Sequence, residues 1–266
     1  MSKAVTKKEE TAVSTEVVNP LASVGLNIQD MLLPALAVRQ NSYLKDKMKP
    51  FRPGEIVIFP EGKAVGGEGV KVTFIPVSIE KLYRICDVSE KQARTVGWES
   101  WTTDLPWEFE RDGRAMRRDK SYVAHILLRE GLDAQSAMLE RASKGEFVDP
   151  SDFALPVRVI FTRGGLNAGK VLSTHFEMSK LVRQTPAAVM FNLFTKEVKN
   201  DKGTFYVYEC EKVSDPKLKY TDKTVLPIAN RWATALENSA SRLRADETAL
   251  EEVTVVDTKV TESDRF

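Results

Sequence analysis

Several short runs of the chain are rich in apolar and β-branched residues, and one of them, residues 156–162, also alternates well, which together predict β-strands. The runs cover residues 55–59, 69–79, 122–128 and 156–162, and they are rich in valine, isoleucine and phenylalanine. Residues 81–88 either continue the second strand or bend away from it. The chain is therefore predicted to be rich in β-structure.

A β-hairpin is the clearest local prediction. Residues 189–198 form its first strand and residues 204–211 its return strand, with Asn200-Asp201-Lys202-Gly203 between them as a tight turn. Asparagine, aspartate and glycine tolerate the backbone conformations that such turns require. We therefore expect the two strands to pair directly.

Helical spacing is clearest near the C-terminus. A proline suited to a first helical turn is followed by apolar residues at helical spacing, which predicts a helix over residues 227–245. Residues 166–183 fit an amphipathic helix loosely, and residues 132–144 look like a short helix or an insertion. The segment 26–38 is interrupted by Pro34 and is either a broken helix or a strand-like arm.

Two internal segments lack either spacing. Residues 60–69 contain four glycines and are predicted to be a loop, whereas residues 97–120, rich in tryptophan and charge, are predicted to be irregular. Together the elements predict an α+β fold centred on an antiparallel, OB-like β-sheet with a C-terminal helix and disordered termini. The boundaries are a polar leader over residues 1–25, a single domain over 26–245 and a flexible tail over 246–266.

Opposite charges nearly cancel over the whole chain, but they do not cancel locally. Residues 157–232 carry an excess of six positive charges and residues 39–129 an excess of four. Residues 245–266 carry a deficit of five. The predicted folded part is thus basic and the tail is acidic.

Aromatic residues lie between the cationic ones in the hairpin, a pattern typical of proteins that bind single-stranded nucleic acid. Cationic side chains follow the phosphates, and aromatic faces stack on unpaired bases. Because successive side chains of a strand point to opposite faces and one face must be core, at most half of these aromatic residues can be exposed. The candidate binding residues are Lys196, Lys199, Lys202, Tyr206 and Tyr208.

A second candidate surface lies in the tryptophan-rich segment, where three tryptophans are followed by a run of arginines. The segment is either a stacking and phosphate-binding loop or a loop pinned to the body by its tryptophans. In the first interpretation, the binding residues are Trp101, Arg114, Arg117 and Arg118.

The predicted tail combines acidic residues with a final phenylalanine. Glu262, Asp264 and Phe266 are its candidate partner-binding residues, and Arg265 departs from a purely acidic tip. An acidic tail would compete for the basic surface of its own protein, and the phenylalanine with its carboxylate would fit a basic pocket on a partner. Bacterial single-stranded DNA-binding proteins and their phage counterparts end similarly. The alternative is an ordinary charged tail.

Four stretches of the chain carry a further resemblance. An apolar motif at residues 33–40 is followed by Pro-Gly-Glu-Ile-Val at 53–57, a strand at 70–76 and the hairpin segment 200–209. This order resembles that of a group of phage-encoded proteins found in replication and recombination regions. The resemblance implies a phage DNA-metabolism protein built on an OB-like barrel, and no catalytic residue is carried over from it.

No set of residues indicates an enzyme, a cofactor or a metal site. His125 and His175 have no metal-ligand partners at useful spacing, and residues 62–69 lack the Gly-Lys-Ser/Thr ending of a phosphate loop. Cys86 and Cys210 lie in apolar runs and are expected to be buried and reduced. We expect a cytoplasmic protein, because neither a signal peptide nor a membrane-spanning run is found.

The predicted function is sequence-independent binding of single-stranded DNA in phage replication or recombination. The domain over residues 26–245 would bind the DNA, and the tail would recruit replication or recombination proteins. One alternative is a strand-annealing recombination protein that forms homo-oligomers on DNA. Others are a protein-interaction or virion component without affinity for nucleic acid, and a nuclease whose scattered carboxylates converge on Mg²⁺.

Overall fold

The fold was analysed in a computed structural model. It describes residues 33–41, 48–89, 93–101, 105–131, 144, 155–201, 203–215, 221, 223 and 225–238. The predicted leader over residues 1–25 and the predicted tail over 246–266 lie outside these residues. So does the predicted short helix over 132–144, apart from its last residue.

The described residues form ten strands and two α-helices. The strands are β1 (Ala35–Val38), β2 (Ile56–Phe59), β3 (Lys63–Gly66), β4 (Val72–Asp87), β5 (Arg94–Ser100), β6 (Glu108–Arg111), β7 (Arg114–Leu128), β8 (Val157–Thr162), β9 (Phe191–Asn200) and β10 (Gly203–Lys212). The helices are α1 (Leu166–Leu181) and α2 (Leu226–Asn238).

All ten strands belong to one mixed sheet. Its main path runs β10-β9-β4-β7-β8-β1-β2-β3, while β5 pairs with β4 and β6 pairs with β7. The strand pairs are antiparallel except β1 and β8, which run parallel. The predicted α+β class with a mainly antiparallel sheet is confirmed.

The sheet does not close into a continuous barrel, so the OB-like closure is not confirmed. Its path ends at β10 on one side and at β3 on the other. Contacts across the opening include an isolated bridge between Glu68 and Thr195 and a hydrogen bond from Thr195 Oγ1 to the Gly54 carbonyl, at 2.6 Å. The sheet therefore curls on itself without a complete ladder between its ends.

Several sequence predictions are confirmed by the elements. The hairpin forms as expected, with Asn200 opposite Gly203 at the turn. The two helical segments become α1 and α2, and the segment around Pro34 adopts the strand alternative as β1. Residues 81–87 continue β4 and do not bend away.

The predictions that two segments lack regular structure were wrong. Residues 94–100, 108–111 and 114–120 lie in strands β5, β6 and β7, and residues 63–66 form β3. The alternation was hidden because charged side chains occupy both faces of β5 and β7. Pairing along the 16 residues of β4 and the 15 residues of β7 overrides the weak local preference.

Apolar residues cover both faces of the sheet's body. One face packs against α1 through a cluster that includes Phe74, Tyr122 and Phe161, and the other packs against α2 around Trp232. Gly169 lets α1 approach β7 closely, since a Cβ atom there would come within 2.5 Å of the Tyr122 ring. Sheet and helices are thus held by two separate apolar layers.

Candidate nucleic-acid interface

The strands β4 and β7 continue beyond the body of the sheet and, with β5 and β6, form a four-stranded extension. It consists of residues 80–87 of β4 and 114–121 of β7, flanked by all of β5 and all of β6. The main-chain N–H of Trp101 donates to the Lys81 carbonyl and prolongs the pairing of β5. The tryptophan-rich segment is therefore built on strands, which hold its side chains in fixed positions.

Three aromatic rings on or beside the extension each lie next to a cation. The Arg118 guanidinium carbon is 3.7 Å from the ring centroid of Phe109, and Lys120 Nζ is 4.8 Å from that of Trp101. The Arg117 guanidinium carbon is 5.5 Å from the ring centroid of Trp107, whose residue is 52% exposed. Such pairs gain electrostatic attraction between the cation and the ring face.

The position of Trp101 agrees with the interpretation in which the tryptophans attach this segment to the body of the sheet. The Trp101 ring centroid lies 5.8 Å from that of Tyr83 and 5.7 Å from that of Tyr122, which belongs to the main core. The ring is therefore half-buried and ties the end of β5 to the body. Trp107, which was not a candidate, is the more exposed of the two tryptophans.

Five arginines share two carboxylates, one on each face of the extension. On one face, Glu99 accepts a hydrogen bond from Arg118 at 3.1 Å and one from Arg111 at 2.7 Å. On the other face, Asp119 accepts one from Arg84 at 3.0 Å. The same carboxylate contacts Arg117 and Arg163. The arginines thus outnumber the carboxylates in the group around Glu99 and in the group around Asp119.

Burial and the arginines act in opposite directions on Asp119. Desolvation favours the neutral acid, but the charge and hydrogen bond of Arg84, with the charges of Arg163 and Arg117, outweigh it and hold the pKa of Asp119 below its usual value. The carboxylate is therefore ionised at neutral pH. Arg114, another candidate, is exposed at the tip of β7 and contacts Asp87 at 3.4 Å.

The hairpin places two of the candidate lysines, Lys196 and Lys199, on opposite faces. Lys196 lies opposite Val207 and Lys199 opposite Thr204, three residues apart along β9. Both side chains are exposed, and Lys199 Nζ is 3.2 Å from Glu197. Lys202 lies outside the described residues.

The two candidate tyrosines of the hairpin are not equivalent. Tyr208 lies in the core with its ring 5.6 Å from that of Phe161, and burial raises the pKa of its phenol. Its ring cannot stack on a base while the core is intact, so it is withdrawn from the candidate surface. Tyr206 is half-buried, and its main-chain N–H and carbonyl are both bonded to the side chain of Gln40 at 2.8 Å.

The two candidate surfaces lie at opposite ends of β4. β9 pairs with β4 at Val72–Phe74 and then runs away from the extension, whereas β5 pairs at Leu82–Asp87. The residues nearest to each other in these two ladders, Phe74 and Leu82, are separated by roughly 25 Å of strand. The structure therefore places Trp101, Arg117 and Arg118 on the extension, with Arg117 on the face opposite Arg118, and leaves the hairpin lysines apart from them.

Sequence reasoning missed two residues that contribute to the extension. Arg84 lies between Tyr83 and Ile85 in an apolar run, and a charge in such a position signals a buried partner. Arg163 follows β8 directly and has a φ of 49°, which local sequence does not indicate. Both side chains meet Asp119 from strands or turns distant in sequence.

The other chemical groups have structural partners. His125 Nδ1 is 2.8 Å from Ser78 Oγ, and burial, with the charge of Arg158, lowers the pKa of His125 to about 4. His175 Nε2 donates to the Pro186 carbonyl at 2.8 Å. Both cysteines are free and buried. Within the described ranges, no three histidine, cysteine or acidic side chains are grouped to hold a metal ion.

Comparisons with protein-family models, curated proteins and solved structures found no match to this chain. Neither helix of the described part is long and apolar enough to cross a membrane. What can be said about function therefore comes from the geometry of the extension and the hairpin.

Proposed function

We propose that the protein binds single-stranded DNA without sequence preference and that the four-stranded extension is its principal contact surface. The observation that carries the proposal is a set of aromatic–cation pairs. Phe109 with Arg118 and Trp101 with Lys120 lie on the Glu99 face, and Trp107 lies beside Arg117, which belongs to the Asp119 face. Unpaired bases stack on aromatic faces without regard to sequence, and cations beside the rings meet the phosphates.

The exposed groups of the extension set the expected strength of binding. Trp107 offers the most exposed ring, and the side chains of Arg111 and Arg114 are 45% and 66% exposed. Glu108 and Glu110 lie on the same surface strand and limit the positive potential. We therefore expect a contact with about three phosphates, which gives a slope of about −2 for log K against log salt.

The acidic tail over residues 246–266 would regulate this surface. Its negative charge competes with DNA phosphates for the same arginines, and Phe266 with the acidic residues Glu262 and Asp264 would recruit replication or recombination proteins of a phage. Removal of the tail should strengthen DNA binding.

The test is a fluorescence-anisotropy titration of labelled oligo(dT) at two salt concentrations, with the full chain and with a chain ending at Ala245. Trp107→Ala should weaken binding about tenfold, since one stacked base contributes about 1–3 kcal/mol. Leu181→Ala is the matched control, because Leu181 is a highly exposed apolar residue on α1 that belongs to none of the aromatic–cation pairs.

Two results would contradict the proposal. Flat anisotropy at micromolar protein in low salt would rule out strand binding and favour a protein-interaction role. Equal losses for Trp107→Ala and Leu181→Ala would show that binding does not use the extension. Binding that weakens steeply with salt and strengthens without the tail is the expected outcome.

A further inference from the structure

Asp119 lies at the centre of a buried arginine cluster formed with Arg84, Arg117 and Arg163. Its Oδ2 accepts from Arg84 Nη2 at 3.0 Å, and its Oδ1 accepts from Arg117 Nε at 3.1 Å. Arg163 Nη2 completes the cluster at 3.5 Å from Oδ2. Three guanidinium groups therefore surround one carboxylate.

The cluster has more positive charge and more donors than Asp119 can satisfy. The side chains of Asp119 and Arg84 are 1% and 9% exposed, so water compensates them little. Arg84 Nε is buried and has no hydrogen-bond partner within the described part of the chain. A buried donor and an uncompensated buried charge both cost free energy, and an anion beside the cluster would offset the excess charge.

The surrounding groups add little negative charge. Cys86 Sγ lies 3.8 Å from Asp119 Oδ2, and desolvation raises the pKa of this thiol, which stays neutral. Ser121 Oγ donates to the main-chain carbonyl of Asp119. Glu108 lies opposite Arg117 in the β6–β7 ladder, and its residue is exposed to solvent.

Arg163 occupies a backbone conformation that favours glycine. Its φ is 49°, which costs an L-residue about 1–2 kcal/mol. The turn is held there by close packing, because a Cβ atom on the next residue, Gly164, would come within 2.6 Å of Val207. The Arg163 side chain is 36% exposed, so its guanidinium forms the solvent-accessible side of the cluster.

We propose that the cluster of Arg84, Arg117 and Arg163 around Asp119 binds one phosphate group. Phosphate oxygens accept paired hydrogen bonds from guanidinium groups, and the site supplies three guanidinium groups in fixed positions. The phosphate is either that of a bound strand or a free inorganic ion. In the first case the inference rests on the proposed function, since Arg117 also lies beside Trp107.

The first experiment measures thermal unfolding of the full chain in inorganic phosphate and in chloride at matched ionic strength. Phosphate should raise Tm saturably by about 2–6 °C, because a ligand that binds only the folded state stabilises it. Arg163→Gly should abolish this rise. The substitution removes the guanidinium and relieves the backbone at the same time, so loss of folding is not expected.

Arg183→Gly is the matched control. Arg183 also has a positive φ, at 54°, and is exposed just beyond the end of α1. The relief of backbone strain is therefore similar, and the phosphate-dependent rise should persist. A rise that survives Arg163→Gly, or an equal rise in phosphate and chloride for the unmodified chain, would overturn the site.

A titration with oligo(dT) then separates the two sources of phosphate. If the phosphate belongs to the strand, Arg163→Gly should weaken binding and make the salt slope about 0.7 less steep, as expected for one lost contact. If the variant loses the phosphate effect but binds oligo(dT) normally, the ligand is the free ion. If the unmodified chain responds to phosphate but not to oligo(dT), the site stands and the proposed function fails.

Discussion

The extension and the hairpin both interleave aromatic and cationic residues in sequence, yet they arrange them in different ways. In the hairpin, Tyr208 points into the core while Lys196 is exposed on the other face. In the extension, the Arg118 guanidinium carbon lies 3.7 Å from the ring centroid of Phe109. Interleaving in the sequence therefore gives a contact between a ring and a cation in the extension, whereas in the hairpin the core takes up the Tyr208 ring.

The difference comes from what lies behind each pair of strands. One face of the hairpin packs on the main apolar core, so alternation removes every second side chain from the surface. Both faces of the extension carry arginines around a carboxylate, Glu99 on one and Asp119 on the other. In the extension, ion pairs therefore accompany the buried Tyr83, Ile85 and Met116, whereas the hairpin packs on the main apolar core.

The largest effect should follow from breaking the buried charge group of the extension. Asp119→Asn leaves three guanidinium groups without their carboxylate and should lower the free energy of unfolding by about 3–5 kcal/mol. Glu99→Gln is the control, since its half-exposed carboxylate should contribute about 1 kcal/mol or less. Urea unfolding at neutral pH measures both, and equal losses would contradict the contrast.

The pH dependence of unfolding checks the same group. The pKa of Asp119 is depressed in the folded protein, so its contribution is fully present above the unfolded pKa, about 3.9. It is lost as the pH falls through the lower folded pKa. The difference in stability between the unmodified chain and Asp119→Asn should therefore shrink in acid, and a difference independent of pH would refute this assignment.

Sequence predicted the hairpin, both helices and the α+β class because these follow from local spacing and turn chemistry. It failed on the extension, since the strands of residues 94–120 are stabilised by partners distant in the chain and carry charge on both faces. Arg163 could not be found, because its position depends on the packing of Gly164 against Val207. Trp101, Arg117 and Arg118 were chosen from composition alone, and their role in binding stays a prediction.

A smaller effect should distinguish the two tyrosines of the hairpin. The buried Tyr208 hydroxyl has no hydrogen-bond partner in the described ranges, so Tyr208→Phe should raise the free energy of unfolding by about 1 kcal/mol. Tyr206→Phe should lower it by about 0.5–1 kcal/mol, since it removes the bond to Glu197. Chemical denaturation measures both, and a loss of stability in Tyr208→Phe would show that its hydroxyl is satisfied.

The smallest effect is expected from removing the hairpin lysines. Lys196 and Lys199 point to opposite faces, far along the sheet from the extension, so the double change to alanine should alter oligo(dT) affinity less than about twofold. The matched double change of the exposed Arg111 and Arg114 to alanine should weaken binding about tenfold and make the salt slope about 1.4 less steep, because two phosphate contacts are lost. Equal losses would mean that the strand crosses both regions and that the extension alone does not define the DNA path.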